Sequence, residues 1–305
     1  MKDSAGISVI INPKSGNGEG VSLSEKIHAA FAATPGLRDN ILFVEYTSET
    51  GDCNNIQKIV EGSKVVLICG GDGTIHQVVN LLKRYSYDRS ISIFPVGTGN
   101  DLYRNIGSKE KDVVGLLNKL IVSPEGRKLD IFSINGKIYF TNYVSFGYDA
   151  YVISAYVALV NRLKGYRVFR LALLKKMLFV LVGFYSVAFY NRRISEGGSQ
   201  ASYINVIVNN LRTYAGGSIF DSNSSLDDGK IELSFVSSKM EYMKLILNRF
   251  KFFDSRLSNR SAEPPLVLRF QSSVPVQIDG EDYSSFFREC TEFRILRDSV
   301  MSVLV

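Results

Sequence analysis

At 305 residues, with 45% hydrophobic and 22% charged side chains, the chain is long enough to bury two cores of ordinary size and reads as a folded globular protein. Three cysteines (Cys53, Cys69, Cys290) without a CxxC pair, together with only two histidines, argue against a disulfide scaffold, a zinc site and a Ser-His-Asp triad. The net charge of +6 invites an anionic partner, although no nucleic-acid motif accompanies it and nucleic acid is not expected.

In chain order, the apolar run at 7–11 ends in Asn12-Pro13-Lys14-Ser15-Gly16-Asn17-Gly18, and a helix is predicted over 23–33. A second helix is predicted over 54–61. A buried strand over 65–69 stops at Gly70-Gly71-Asp72-Gly73-Thr74, and a helix follows over 75–85, with His76 packed at its start. A third strand, 91–96, runs into Gly97-Thr98-Gly99-Asn100-Asp101, with a helix over 111–120. Strands alternating with helices predict an open parallel α/β sheet for residues 1–126.

After Pro124-Glu125-Gly126 the pattern changes. Strands are predicted over 129–134, 137–146, 185–194, 203–209, 229–236, 266–271 and 274–278, with Asn135-Gly136 a hairpin signal. Helical stretches interrupt them near 148–182 and 240–253. Residues 127–305 are therefore expected to form a second, mainly antiparallel β domain, with an active site in the cleft between the two.

The chemistry concentrates in the glycine turns. Glycine admits φ > 0 and lets a ligand approach the backbone closely. A turn placed at a helix N-terminus offers free N–H groups and a positive dipole end to phosphate. A lone carboxylate, Asp72, would repel an anion, so it points to a bound metal ion or to proton transfer. Neither G-x-G-x-x-G nor G-x-x-x-x-G-K-[ST] occurs, which excludes the commoner phosphate loops.

Asn12-Pro13 with Ser15-Gly16, then GGDGT at 70–74 and GTGND at 97–101, resemble the diacylglycerol kinase catalytic family, and more closely its soluble bacterial lipid kinases, related to sphingosine and ceramide kinases. Leu226-Asp227-Asp228-Gly229-Lys230-Ile231 is similar to that family's L-x-D-G-x-L turn, and Asp279-Gly280-Glu281 to its D-G-E motif. The series spans nearly the whole chain in the family's order.

The resemblance implies ATP as phosphoryl donor, Mg²⁺ as cofactor and a lipid alcohol as acceptor, diacylglycerol first, with sphingoid bases, ceramide, monoacylglycerol and phosphatidylglycerol as alternatives. It implies that Asn12, Thr47, Gly70, Gly71, Asp72, Gly73, Thr74, Gly97, Thr98, Gly99 and Asn100 hold the nucleotide, and that Asp72 and Asp101 hold Mg²⁺. Asp279 is expected as general base with Glu281 beside it, and a structural Mg²⁺ is expected on Asp228 and the backbone carbonyls of Ser225 and Lys230. Some bacterial relatives carry a lysine where this chain has Asn17; Lys14 and Lys175 are the candidates to replace it. The last strand, about 292–305, is expected to return to the first domain.

Between Asp149 and Glu196 there is no carboxylate, while Arg162, Lys164, Arg167, Arg170, Lys175, Lys176, Arg192 and Arg193 stand among aromatic residues. That mixture suits the surface of an anionic membrane as well as a solvated helix face. No signal peptide is visible, and the apolar run at 177–189 is too short to span a bilayer, which takes about 20 residues. A cytoplasmic protein associated peripherally with the membrane is expected, with a homodimer open. Two other readings remain: an NAD kinase, which shares GGDGT, and a non-catalytic lipid-binding protein that has kept the fold.

Overall fold

A computed structural model describes residues 6–34, 41–45, 57, 60–97, 99–107, 110–163, 178, 181–183, 185–186, 190–191, 193–195, 201–248 and 259–305. Four aliphatic residues and Ser8 form β1 (Ile7–Ile11), buried on both faces. A 3₁₀ turn (Ser15–Gly18) leads into α1 (Glu19–Ala33). Then come β2 (Ile41–Glu45), β3 (Val65–Gly70), α2 (Asp72–Arg84), β4 (Ser90–Pro95), α3 (Asp101–Ile106) and α4 (Val113–Val122). Strands β2, β1, β3 and β4 lie side by side in parallel, as near-continuous aliphatic runs covered by helices should. Ile10, Ile68, Val79 and Ile91 fill one face of this sheet, and Val9, Ile27, Leu67 and Leu117 the other.

The second half is antiparallel. Here the chain forms β5 (Gly126–Ile134), β6 (Ile138–Phe140), β7 (Tyr143–Gly147), α5 (Tyr148–Leu163), β8 (Asn205–Asn209), β9 (Thr213–Tyr214), β10 (Ser218–Ile219) and β11 (Ile231–Val236). It closes with α6 (Lys239–Leu247), β12 (Asn259–Ala262), β13 (Leu266–Arg269), β14 (Val276–Ile278), β15 (Glu281–Asp282) and β16 (Glu292–Leu304). A six-stranded sheet runs β12-β11-β8-β7-β14-β15. Its core holds Phe146, Val206, Leu233, Ile278 and Phe293. The fold is thus α/β with two bodies, one built on a mostly parallel sheet and one on an antiparallel sheet.

Two long strands stitch the bodies together. β16 pairs with β13 and with residues 132–134 of β5 before an irregularity between Arg297 and Ser299, and with 126–131 of β5 after it. Its end, Val303 and Leu304, lies parallel to Ile91 and Ser92 of β4. A bulge at that point lets one strand serve both bodies by bending and twisting.

Local chemistry explains most boundaries. Asn135 (φ 54°) and Gly136 (φ 64°) both adopt left-handed backbone, which makes the β5–β6 connection a type I′ hairpin, as expected. Two expectations are corrected. The single strand foreseen over 137–146 is broken at Thr141-Asn142, so that β6 lies in the first sheet and β7 in the second. The strand foreseen over 185–194 is not there at its start: Tyr185 and Ser186 are helical, and the Tyr190 N–H donates to the Ser186 carbonyl at 2.9 Å. The aromatic-rich sequence alone could not separate helix from strand at that place.

Candidate active site

The glycine turns form one wall of a cleft. Gly71 precedes α2 in extended conformation, and no side chain caps the helix, so its first turn keeps open N–H groups for an anion. Gly70 is glycine because of Thr74: a Cβ there would lie 2.6 Å from the Thr74 Cβ and 2.7 Å from its Oγ1. Asn12 Nδ2 donates to Thr74 Oγ1 at 3.1 Å, and Asn12 Oδ1 accepts the Lys14 N–H at 2.9 Å. Ser15 Oγ stands 3.5 Å from the same hydroxyl. Lys14 is exposed beside this group.

The second turn stacks on the first, since a Cβ at Gly97 would sit 3.5 Å from the Gly71 Cα. Asn100, at φ 52°, donates from Nδ2 to the Gly97 carbonyl at 2.9 Å. Its Oδ1 is buried, has no hydrogen-bond partner among the described residues and faces both glycines. An unsatisfied acceptor beside uncovered backbone is what a donor-bearing ligand would complete. That acceptor suits a hydroxyl or amino donor of a nucleotide's sugar or base, while the open N–H groups at the start of α2 suit its phosphates.

Two carboxylates stand behind these turns. Asp72 accepts the N–H groups of Asp101 (3.0 Å) and Leu102 (3.3 Å) and the Asn142 amide (3.1 Å). Asp101, 2% exposed, accepts from the Gly216 N–H (2.6 Å), Thr213 Oγ1 (3.1 Å) and Arg104 (3.5 Å). Burial raises the pKa of both, and the charge of Asp72 adds to the rise at Asp101. Through Thr213 and Gly216, Asp101 joins the two bodies, and it is more deeply buried than Asp72. Asp72, half-buried where Asp101 is fully buried, is the carboxylate of the pair that fits an Mg²⁺ shared with phosphate and water.

The opposite wall comes from the antiparallel body. Asp279 (φ 50°) and Gly280 (φ 88°) make the sharp turn between β14 and β15. The Asp279 carboxylate points inward, with its side chain 1% exposed. Its Oδ1 accepts the N–H groups of Asn142 (2.9 Å) and Tyr143 (3.0 Å), and Oδ2 that of Thr141 (3.1 Å). His76 on α2 places Nδ1 3.1 Å from Oδ2 and Nε2 2.7 Å from the Tyr283 hydroxyl. Because a carboxylate accepts, Nδ1 carries a proton, and Nε2 shares a hydrogen bond with the Tyr283 hydroxyl. This network breaks the 137–146 strand, since three consecutive N–H groups turn toward one carboxylate instead of a neighbouring strand.

Glu281, two residues on, is exposed. A Cβ added at Gly73 would collide with its Oε1, so Glu281 lies directly over the first turn of α2. The GGDGT turn and the D-G-E motif, more than 200 positions apart, therefore meet as expected. Sequence reading missed His76, Asn142, Thr213, Gly216 and Tyr283. The one available signal was a histidine in the first turn of the helix behind GGDGT. Thr47, Thr98 and Lys175 lie outside the described residues.

The turn at 225–230 is organised without a cage of oxygen side chains. Asp228 Oδ1 accepts the Lys230 N–H at 3.0 Å, and Ser225 Oγ donates to Asp227 at 3.0 Å. The Gly229 N–H donates to Asp130 Oδ2 at 2.6 Å. Arg297 donates twice to the other oxygen of that fully buried carboxylate, at 2.6 and 2.9 Å. The same guanidinium lies 3.0 Å from where a Gly229 Cβ would be. A cation thus already stands at the turn. Among the described residues no group of three or more His, Cys, Asp or Glu side chains could hold a metal.

Residues 6–134 match the diacylglycerol kinase catalytic domain. Over 265 residues the protein is 25% identical to a "Probable lipid kinase YegS-like" of Pseudomonas aeruginosa (strain UCBPP-PA14), covering 85% of this chain and 83% of that one. It is 35% identical over 78 residues to the "Diacylglycerol kinase" of Bacillus subtilis (strain 168), covering 26% of this chain and 25% of the relative. The crystal structure of a diacylglycerol kinase from Bacillus anthracis str. Sterne superposes with a TM-score of 0.63 at 20% identity, covering 99% of this chain and 97% of that one. That likeness extends the shared fold through the antiparallel body, beyond the matched catalytic domain. Among the described residues, no helix is long and apolar enough to cross a membrane.

Proposed function

We propose that this protein is an ATP-dependent lipid kinase that transfers the γ-phosphoryl group to the hydroxyl of a lipid, diacylglycerol being the leading acceptor, to give phosphatidic acid. One observation carries the reading: an exposed carboxylate, Glu281, stands over the uncapped N-terminus of α2 at Gly73. Phosphoryl transfer is mostly positioning and charge stabilisation, plus a group that receives the acceptor's proton. The cleft offers both on facing walls. The names of the relatives from Pseudomonas and Bacillus support the same class.

In this account the backbone of residues 70–74 and 97–100 and the Asn12–Thr74 pair bind the triphosphate. Asp72 would hold Mg²⁺, which when bound neutralises charge on the β- and γ-phosphates. Glu281 takes the proton of the lipid hydroxyl, because a general base must reach that proton. Asp279 does not reach it. It fixes the 141–143 backbone and, through His76, the helix that presents the phosphate site, so the base expected at Asp279 moves to Glu281. The 225–230 turn is held by the Arg297–Asp130 pair, and no step is assigned to a metal there.

The test is phosphate incorporation from labelled ATP, offered vesicles containing diacylglycerol or, separately, NAD. Labelled phosphatidic acid is the expected product. Label in NAD, or in neither, contradicts the proposal.

A further inference from the structure

A cavity of about 520 Å³ opens away from the glycine turns, around the start of β5. Its wall includes Arg127 and Lys128 from β5, Arg212 from the β8–β9 connection, Asp227 from the 225–230 turn and Asn105 from α3. Its size falls in the range of small-molecule sites, about 300–1,000 Å³. Its charge is unusual. The three cations are exposed, and among the described residues none of them makes an ion pair. Arg212 Nε donates only to the Ser224 carbonyl, at 3.0 Å. Asp227, whose Oδ1 accepts from Ser225, is the single carboxylate of the wall. The side chains therefore leave an excess of two positive charges (three less one) in one concavity.

We infer that this cavity is a second anion site, which takes a phosphomonoester. A phosphomonoester carries about −1.5 to −2 charges at neutral pH and three acceptor oxygens, which matches the excess. Guanidinium groups suit it because they donate in a planar fork. The site also has a route to the cleft. Asn105 donates to the Asp101 carbonyl and to Thr213 Oγ1, both at 2.7 Å, and accepts the Arg212 N–H at 2.9 Å. Thr213 in turn donates to the Asp101 carboxylate. An anion drawing Arg212 inward acts on the strand that holds the Asp101 joint. The inference rests on the cavity alone and does not require the proposed kinase activity.

The test is equilibrium dialysis of the full chain against labelled inorganic phosphate and glycerol phosphate, beside flotation with phosphatidylcholine vesicles made with or without phosphatidic acid. The proteins compared are wild type, the double variant Arg127→Gln/Lys128→Gln and, as a control for the glycine turns, Asn12→Ala. Losing two charged donors should weaken phosphate binding by about tenfold or more, with Asn12→Ala unaffected and the effect reduced by added salt. If vesicle binding falls as well, the natural source is a lipid headgroup. If only binding in solution falls, it is a free phosphomonoester. Equal binding by the double variant and wild type, or loss in Asn12→Ala alone, overturns the inference. Both substituted residues are exposed, so an unchanged melting temperature certifies the fold of the double variant.

Discussion

The two walls of the cleft are made by opposite means. On the parallel-sheet side the working surface is backbone: Gly70, Gly71, Gly73 and Gly97 leave room, and the helix end supplies the donors. On the antiparallel side it is a buried polar network in which Asp279 gathers three N–H groups and His76, leaving Glu281 alone to face the cleft. The first wall is crowded at Gly70 and Gly73, where an added atom meets Thr74 or Glu281; the second is held by bonds it cannot lose. Position and reach, not the mere presence of a carboxylate, decide which acid acts on substrate.

This contrast can be broken most severely at Asp279. Asp279→Ala strands the Thr141, Asn142 and Tyr143 N–H groups together with His76, all buried or nearly so, and should lower stability by about 3–5 kcal/mol. Denaturant unfolding measures it. A loss below about 1 kcal/mol, the worth of a single hydrogen bond, would show that the network is not structural.

The glycine wall makes the converse prediction. Gly73 lies in the first turn of α2, where alanine is favoured over glycine by about 0.5–1 kcal/mol. Gly73→Ala should therefore keep or raise the melting temperature while displacing Glu281. A misplacement of that kind costs about 10²-fold in rate. A variant that is equally stable and equally active would detach Glu281 from the cleft.

Away from both walls, Arg297→Gln removes two bonds to the buried Asp130 and should cost about 2–3 kcal/mol. Chelating divalent ions should leave the wild-type melting temperature unmoved. A drop on chelation would assign the cation role at the 225–230 turn to a metal instead.

The smallest effect is a pH dependence. Burial raises the pKa of Glu232 on β11 from 4.5 to about 7, helped by the charges of Asp228 and Asp221 and opposed by the Ser224 hydroxyl. The native state keeps a proton that the unfolded chain releases, so this contribution to stability is present below 4.5 and lost as pH rises through 7. The melting temperature should fall between about pH 4.5 and about pH 7 in wild type and fall less in Glu232→Gln. Identical slopes in the two proteins would exclude the assignment.

The same contrast explains what the sequence disclosed. The glycine wall was legible because each turn is local: an aliphatic strand, a glycine turn and a helix start fall within about ten residues of one another. The Asn135-Gly136 hairpin was legible for the same reason. The antiparallel wall was not. That Thr141-Asn142 ends one strand and opens another is dictated by Asp279, 138 residues away from Thr141. No period in the local sequence encodes that pull. The D-G-E motif was visible, but which of its acids faces substrate depends on the left-handed backbone at Asp279 and Gly280, which sends the first side chain inward and leaves the second outside. Arg297 was invisible as a partner of the 225–230 turn because β16 alone carries it there.

The most direct test of the account is the turnover of Glu281→Gln on diacylglycerol vesicles with labelled ATP, set against its melting temperature. Removing a proton acceptor should lower the rate by about 10²–10⁴-fold, while an exposed substitution leaves stability within about 0.5 kcal/mol of wild type. A well-folded Glu281→Gln protein that phosphorylates diacylglycerol at the wild-type rate would contradict it.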